Sequence, residues 1–259
     1  MNVFDQEKWI ENLKYAGIIQ RSVLPQSKNI EQIAVEHAVL YDPLEYVSGD
    51  FFWTANKEPF QYLAVGDCTG HGVPAAMLSL FVLNQLEYLI MNKMLINTSE
   101  ILREIDKRFI ESFHGQKDYL YNTEWIDISL VCINRMKNEI YFSSANRKIL
   151  IVKANGETQV LKGNNFPIGG WQFSDNREFS VQIATFEKGD LLYLGSDGFQ
   201  NQLGGEKTKK FGSNRLHEFF QKNASLHLSE QFSLLKEEFE SWKGTNEQTD
   251  DICLLGVRL

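Results

Sequence analysis

Cysteine is scarce in this sequence, and basic residues are outnumbered by acidic ones. The three cysteines, Cys68, Cys132 and Cys253, are far apart and match no zinc-binding spacing, so they fit a reducing cytosol better than a disulfide scaffold. Lysine and arginine together number 26 against 34 aspartate and glutamate residues, which gives a formal net charge of −8. Because no surplus of cations is present to neutralise phosphates, we expect no nucleic-acid partner.

A long uninterrupted hydrophobic run is also absent. Residues 1–8 are polar and acidic, which is not the pattern of a secretory signal peptide. The most apolar stretch, residues 75–91, is interrupted by Asn84, Gln85 and Glu87, and this favours a buried helix over a membrane span. We therefore expect a cytoplasmic protein that does not insert directly into a membrane.

The chain does contain enough apolar material for a sizeable core, with 43% hydrophobic residues and 18 phenylalanines. Periodicity and turn residues predict a fixed order of elements: strands over 33–41, 47–56 and 60–65, helices over 73–92 and 98–113, a series of strands between 126 and 195, helices over 215–222 and 229–242, and a last strand over 252–259. This order is not a regular β-α-β alternation. It predicts an α+β layered fold with mostly antiparallel sheets.

A helix is predicted ahead of this domain, over residues 4–24, and Pro25 stops it. It could be an ordinary core-packing helix, or a helix that pairs with a second copy of the chain or links to a sensor domain. We assign residues 1–25 to an N-terminal regulatory or linker helix, with a homodimer through it as one expectation, and residues 26–259 to one compact domain. Its apolar residues recur at helical spacing: Trp9, Leu13, Ala16, Ile19 and Val23.

A glycine-rich turn between an apolar run and a long helix is the most informative stretch of the chain. The run ends at Asp67, Gly70 and Gly72 permit tight turning, and Pro74 sits where a first helical turn accepts it. An acid at the end of a buried strand, beside a helix N-terminus, indicates a site for a metal, a phosphate or both. For His71, which lies inside the turn, we favour a role in holding the turn over a catalytic one.

Four aspartates share the position at which an apolar strand meets a loop: Asp50, Asp67, Asp197 and Asp250. A single Asp-Gly is more often a turn or cap residue, and we leave Asp190 in that class. Several aspartates at one end of a sheet, however, would repel each other unless a cation neutralised them. Hard divalent cations prefer such oxygen ligands, and two of them can bridge a water for attack on phosphorus.

The motifs around these acids resemble those of the metal-dependent (PPM, or PP2C-like) protein phosphatases, closest to the SpoIIE-like branch. The resemblance covers about residues 18–259, and it is specific because several motifs occur in order. They are Ser48-Gly49-Asp50-Phe51-Phe52, Gly66-Asp67-Cys68-Thr69-Gly70-His71-Gly72, Gly195-Ser196-Asp197-Gly198 and Thr249-Asp250-Asp251-Ile252, with supporting stretches at 19–25, 144–147 and 166–169.

This resemblance implies an α-β-β-α sandwich of two mostly antiparallel sheets flanked by helices, so that residues 26–259 would be a PP2C-like phosphatase domain. It also implies hydrolysis of phosphoserine or phosphothreonine by a water that bridges two Mn²⁺ or Mg²⁺ ions. By position, Asp67 resembles the acid that bridges both metals and Asp50 the ligand of the second. Asp197 and Asp250 resemble ligands of the first metal, and the backbone carbonyl of Cys68 takes the place of a further ligand.

The chain departs from the eukaryotic members of this family at two places. Thr69 stands where they have a histidine often assigned as general acid, and His71, two positions further on, does not inherit that role. Their phosphate-binding arginine has no clear match near the N-terminus. Arg21 and Arg147 are candidates, although both are more typical of structural or surface arginines. Asp127 is either an outer acid near the metals or a strand-edge residue.

The resulting hypothesis is a cytoplasmic serine/threonine phosphatase that acts on a small phosphoprotein, of the STAS-like anti-sigma-factor-antagonist type found in partner-switching systems. One alternative is a catalytically weak member that serves as a binding module. The other is a Mg²⁺-dependent phosphatase of a small molecule; the absence of a Walker lysine after the Gly66–Gly72 turn argues against an NTPase. The basic run at 207–210 is either a solvated loop or a docking site for an acidic or phosphorylated partner.

Overall fold

The computed structural model describes residues 3–113, 124–170 and 177–259. The helices are α1 (Val3–Val23), α2 (Ser27–Glu31), α3 (Gly72–Leu86), α4 (Thr98–Phe113), α5 (Gly198–Asn201), α6 (Ser213–Lys222) and α7 (Leu228–Lys243). The strands are β1 (His37–Asp42), β2 (Phe51–Lys57), β3 (Phe60–Cys68), β4 (Trp125–Asn134), β5 (Glu139–Ala145), β6 (Lys148–Val152), β7 (Thr158–Lys162), β8 (Ile168–Gly169), β9 (Gln182–Thr185), β10 (Leu191–Gly195), β11 (Leu203–Gly204), β12 (Lys209–Lys210) and β13 (Ile252–Arg258).

Two antiparallel sheets form the centre of the fold. The five-stranded sheet has the order β1-β13-β10-β6-β7, and the six-stranded sheet has the order β2-β3-β4-β5-β9, with β8 paired to β4. A short β11–β12 hairpin stands apart from both. Helices α3 and α4 pack on the six-stranded sheet, and α6 and α7 pack on the five-stranded one. The α+β architecture of two antiparallel sheets with flanking helices, predicted from the sequence, is therefore confirmed.

The apolar residues are divided between two clusters, and the five-stranded sheet contributes to both. On β6, Ile149 and Ile151 belong to the larger cluster between the sheets, whereas Leu150 and Val152 belong to the smaller one beneath α6 and α7. A strand that is buried on both faces needs a continuous apolar run, and this explains why the sequence of β6 does not alternate.

Close packing near the start of β2 depends on a glycine. Phe51 is fully buried and pairs with Gly66 of β3. A Cβ atom added at position 66 would lie 2.3 Å from the Phe51 ring, so only glycine leaves room for this side chain. The ring thereby fixes the approach of the two strands immediately beside Asp50 and Asp67.

Several predicted boundaries differ from the structure. The strand expected over 60–65 continues to Cys68, because its pairing with β4 extends through Asp67. The strand expected from residue 47 begins only at Phe51, because the N–H groups of Ser48 and Gly49 donate to the side chains of Gln20 and Asp251 instead of to a strand. The strand expected from residue 33 begins at His37, since the preceding residues form the end of α2 and a turn. The helix predicted over 73–92 is α3 followed by a π-helical segment over Glu87–Asn92.

Among the described residues, the stretch 72–92 is the one helix that is long and apolar enough to cross a membrane by length and composition. Half of its most apolar window is buried inside the protein. Ala75, Val82 and Leu86 are fully buried and belong to the larger apolar cluster. The sequence predicted a buried helix, and in the structure one side of this helix is buried in the core.

Candidate metal centre

Strand pairing brings the four predicted aspartates together at one edge of the sandwich. The β2–β3 register pairs Phe51 with Gly66, so the next step along the hairpin places Asp50 beside Asp67. Asp197 lies two residues after β10 and Asp250 two residues before β13, and these two strands also pair. Each sheet thus supplies two of the four acids.

The carboxylates of this group interact with each other across the two sheets. The side chains of Asp67 and Asp197 share a hydrogen bond, and Asp67 also lies within electrostatic reach of Asp250. The charge of Asp67 in turn acts on Asp50. The four residues that the sequence singled out are therefore one cluster.

Arg147 lies in the middle of these acids. Its Nη2 atom forms ion pairs with Asp67, with Asp127 at 3.3 Å and with Asp197 at 3.4 Å. Its side chain is only 8% exposed. Arg147 lies in the turn between β5 and β6, where the chain passes from one sheet to the other, and this position lets it reach acids of both sheets.

Asp127 joins the cluster from β4, where it is the direct cross-strand partner of Asp67. Its Oδ1 atom accepts a hydrogen bond of 2.9 Å from Nδ2 of Asn146, the residue before Arg147. Asn146 has a φ of 55°, in the left-handed region that asparagine tolerates better than most residues. The tight turn at Asn146 therefore positions two side chains against the acids.

Burial and mutual repulsion shift the pKa values of the acids in this cluster. Burial raises the pKa of the Asp50 carboxyl well above its ordinary value, and the charge of Asp67 raises it further. Burial also raises the pKa of Asp67, Asp127 and Asp250, against the opposing effect of Arg147. Burial alone would raise the pKa of Asp197 too, but Arg147 and the hydrogen bond from Asp67 hold it below the usual range. Five carboxylates thus surround one guanidinium.

The residues present fit divalent cations of the hard, oxygen-seeking type. Oδ2 of Asp50 is buried and has no hydrogen-bond partner, which is costly unless a further positive group approaches it. In the described part of the chain, no three His, Cys, Asp or Glu side chains form a complete ligand set by themselves. Mg²⁺ needs no such set, because it takes few carboxylates and keeps several waters.

Cys68 and His71 occupy the turn that follows Asp67. The Cys68 side chain is buried, and burial raises the pKa of its thiol well above the ordinary value, so a thiolate ligand is disfavoured. The assignment of its carbonyl as a metal ligand stays a prediction. His71 lies at the N-terminus of α3 and is exposed; its Nδ1 atom is 2.7 Å from Oε1 of Glu45. This contact ties the turn to the segment before Asp50.

Sequence reasoning missed two polar residues that shape the site. Gln20 of α1 is buried; its amide donates to the carbonyl of Ser48 at 2.6 Å and accepts from the Ser48 N–H at 3.0 Å. Asp251 accepts from the N–H groups of Leu44 and Gly49 at 2.7 and 2.8 Å. Both therefore fix the segment that leads into Asp50. Both lie in stretches that the family resemblance marked, but their contacts were not predicted because their partners are distant in sequence.

The structure distinguishes between the two arginines that were candidates for binding phosphate. Arg147 was a weak candidate for binding phosphate, and it lies at the centre of the acid cluster. Arg21 is exposed on α1. A cavity of about 530 Å³ opens beside Arg147, and Asp127 and Asp197 line it together with residues of β6, β10 and α6.

Comparison with known proteins agrees with this arrangement. A family model described as stage II sporulation protein E (SpoIIE) matches residues 61–259. The structure is similar to the SiaA-PP2C domain of Pseudomonas aeruginosa, with a TM-score of 0.87, 28% sequence identity and coverage of 98% of each chain. No curated protein matches the chain.

Two more distant structures share the fold. The PP2C phosphatase domain of SpoIIE from Bacillus subtilis, solved with a fragment of its regulatory domain, has a TM-score of 0.66 and 18% identity over 86% of this chain and 63% of that one. RsbX, solved in complex with magnesium, has a TM-score of 0.60 and 15% identity over 86% of this chain and 94% of that one. The fold also occurs in a structure from the bacterial stressosome. The chain thus belongs to the SpoIIE family and carries a PP2C-type serine phosphatase domain.

Proposed function

We propose that this chain hydrolyses phosphoserine or phosphothreonine on a small regulatory protein, in a reaction that depends on two Mn²⁺ or Mg²⁺ ions. The observation that carries the proposal is the convergence of four strand-end aspartates, two from each sheet, on a site with excess negative charge. A purely structural ion-pair network would be expected to balance its charges, and this one does not.

The position of each aspartate in the cluster indicates its role as a metal ligand. Asp67 faces acids of both sheets, which suits an acid shared by two ions, and Asp50 supplies the buried oxygen without a partner. Asp197 and Asp250 complete the ligands from the five-stranded sheet, with the Cys68 carbonyl as a further ligand. Two such ions, when bound, lower the pKa of a bridging water and orient it for in-line attack on phosphorus.

Arg147 and Asp127 are positioning residues in this scheme. Arg147 orients Asp67 and Asp197 through its ion pairs, and Asp127 holds the same guanidinium nitrogen from β4. Since Arg147 also borders the cavity beside the acids, its guanidinium is placed to meet a phosphoryl group that enters there. Thr69 donates its hydroxyl to the carbonyl of Trp125 and receives the Trp125 N–H, so it supports the turn and has no proton-transfer role.

We infer that the substrate is a phosphorylated STAS-like protein in the cytoplasm, in keeping with the partner-switching systems to which the SpoIIE-like branch belongs. The alternatives are a binding module without turnover and a phosphatase of a small molecule. Retention of all four acids argues against the first. The wide opening of the cavity beside the acids, with charged residues on its wall, favours a protein segment over a small molecule.

The direct test is turnover of a phosphoserine protein by the full chain in Mn²⁺ buffer. Asp67→Asn and Asp197→Asn should each lower kcat/KM by at least about a hundredfold, because each removes a ligand charge from the site. Glu237→Gln, an exposed carboxyl-to-amide change on α7, is the matched control and should leave turnover unchanged. Undiminished turnover in both aspartate variants would refute the mechanism, and faster turnover of nucleotides than of phosphoprotein would favour the small-molecule alternative.

A further inference from the structure

Two lysines of the five-stranded sheet lie directly opposite each other. The antiparallel register of β6 and β7 pairs Lys148 with Lys162. Side chains of directly paired residues project from the same face of a sheet, and like charges in that position destabilise it. A sheet edge would ordinarily be more stable with an acid at one of these positions.

His217 adds a third basic side chain to this pair. It lies on α6, which packs against β6. Burial lowers the pKa of His217, and the charge of Lys148 lowers it further. Burial also lowers the pKa of Lys148, and Lys162 adds to the effect. Lys148 is therefore close to two other basic groups, Lys162 across the strand pair and His217 on α6.

No carboxylate of the described residues forms an ion pair with any of these three side chains. This is unexpected in a chain with eight more acids than bases. Acids were available to neutralise the cluster, but they do not approach it. Natural proteins keep such destabilising arrangements chiefly where a function requires them.

The cluster shares a cavity with residues of the candidate metal centre. The cavity of about 530 Å³ is lined by Asp127, Arg147 and Asp197 and also by Lys148, Lys162 and His217. Arg147 and Lys148 are consecutive; the guanidinium contacts the acids, whereas Lys148 is paired with Lys162 across the strands. Lys210 of β12 also lines this cavity. A chain segment that placed a phosphoserine at the acids would lay its neighbouring residues against the lysines.

We propose that Lys148, Lys162 and His217 form a binding site for carboxylate side chains that flank the phosphorylated residue of the protein substrate. The inference rests on the proposed phosphatase function, because that function places a phosphorylated segment in the cavity. The metal centre would bind the phosphoryl group of any such segment, whereas this cluster would select among the sequences that flank it. Carboxylate groups match the cluster in charge, and two or three of them would replace the missing partners.

Binding of labelled peptides tests the site without requiring turnover. The probes are peptides with an unphosphorylated serine at the centre and glutamates, glutamines, lysines or a phosphoserine at the flanking positions, and fluorescence anisotropy gives the Kd. The wild-type chain should bind the glutamate peptide about three- to tenfold more tightly than the glutamine peptide, as expected for one or two partly exposed charge pairs. This preference should decline in high salt.

Matched variants then locate the preference. Lys148→Gln and Lys162→Gln should each reduce the ratio of the two Kd values towards one, whereas Lys236→Gln, the same change on the exposed face of α7, should retain the wild-type ratio. Lys162→Glu should reverse the preference in favour of a lysine-flanked peptide. Lys162→Gln should also leave Tm unchanged or raised, since it relieves a repulsion, and this separates a binding role from a structural one.

The outcomes separate this inference from the proposed function. Equal Kd values for glutamate and glutamine peptides, in the wild type and in every variant, would overturn the carboxylate site even if phosphoprotein is hydrolysed. Absence of turnover on any phosphoprotein would overturn the proposed function, while a preference lost in Lys148→Gln would still support the site. Tight binding of only the peptide with a flanking phosphoserine would overturn the carboxylate assignment and identify a phosphate as the ligand of the cluster.

Discussion

Asp67 and Asp127 are direct cross-strand partners on β3 and β4, and both carboxylates contact the same guanidinium nitrogen of Arg147. Like charges opposite each other destabilise a sheet, so this pair depends on the cation between them. In the part of the chain that the structure describes, no carboxylate forms an ion pair with either lysine of the β6–β7 pair. One like-charge pair is thus neutralised from within the chain, and we propose that a ligand neutralises the other.

Replacing Arg147 by glutamine should destabilise the metal-free protein by about 3 kcal/mol, since it leaves several buried carboxylates without their cation. Added Mn²⁺ should recover part of this loss, because it supplies positive charge to the same acids. Urea unfolding with EDTA and with Mn²⁺ measures both effects. Arg103→Gln, on an exposed position of α4, is the control. Equal stability of Arg147→Gln and the wild type in EDTA would contradict the prediction.

Asp50→Asn should separate stability from function. Burial and the charge of Asp67 raise the pKa of Asp50, so the ionised form is disfavoured in the metal-free fold. A neutral amide of the same shape should leave Tm in EDTA unchanged or higher, and at the same time weaken Mn²⁺ binding and abolish turnover. Thermal unfolding and calorimetric Mn²⁺ titration check the two halves. Wild-type Mn²⁺ affinity in this variant would remove Asp50 from the ligand set.

Asp190 shows the opposite electrostatic behaviour and gives a prediction for pH. Burial alone would raise its pKa, but the N–H groups of Glu187 and Ala154 and the Lys153 ammonium hold the pKa below its ordinary value. Its ionised form therefore stabilises the fold above the unfolded-state pKa of about 4, and the contribution is lost as pH falls through the folded-state value.

Asp190→Asn should accordingly lower the free energy of unfolding by about 2 kcal/mol at neutral pH, with a difference from wild type that shrinks below pH ~4. Urea unfolding at neutral pH and in acid gives both values. A difference that stayed constant with pH would show that the charge of Asp190 is not what matters.

Gln20→Leu should impair the site although Gln20 touches none of the aspartates. The change removes both hydrogen bonds to Ser48 and the 3.0 Å bond to Ser79 Oγ, and it leaves buried backbone groups unpaired. We expect a loss of about 1–3 kcal/mol in stability and weaker Mn²⁺ binding, because the segment before Asp50 loses its anchor. Gln6→Leu, at an exposed position on the same helix, should change neither. Unchanged Mn²⁺ affinity in Gln20→Leu would refute the link.

The exposed apolar face of α1 predicts self-association. Trp9, Tyr15, Ile18 and Val23 are each more than half exposed, with values from 51% to 64%. Clusters of such residues are typical of interaction surfaces. Light scattering should give the mass of a dimer for the wild type and of a monomer for Ile18→Asp, with Glu11→Gln as an exposed control. A monomeric wild type across the micromolar range would rule out the homodimer.

Local sequence signals predicted the parts of this site that depend on neighbouring elements. The side-by-side placement of Asp50 and Asp67 follows from one hairpin. The apolar run before Asp197 marked the end of β10 correctly, whereas β3 continues through Asp67 to Cys68. Asp190, assigned to a turn from its Lys-Gly-Asp context, does cap one through the Glu187 N–H.

Local sequence signals did not predict the parts of the site that depend on contacts between distant segments. Arg147 reaches Asp67 across 80 positions, and Gln20 reaches Ser48 across 28. Periodicity describes which face of an element is apolar, but it does not say which polar side chain meets which backbone group from another layer. The late start of β2 has the same cause, since its missing ladder bonds go to Gln20 and Asp251.

The division of the four aspartates between two sheets has a mechanical consequence. A sliding of one sheet over the other by a fraction of an ångström would change the distances between Asp50 or Asp67 and Asp197 or Asp250, while every ladder within each sheet stayed intact. The geometry of the metal centre therefore depends on the position of one sheet relative to the other. The Phe52 ring of β2 contacts the Tyr41 ring of β1 edge to face, with centroids 5.9 Å apart, and this contact joins the two sheets. Catalysis in rising denaturant should fail while the far-ultraviolet dichroism of the strands is still native.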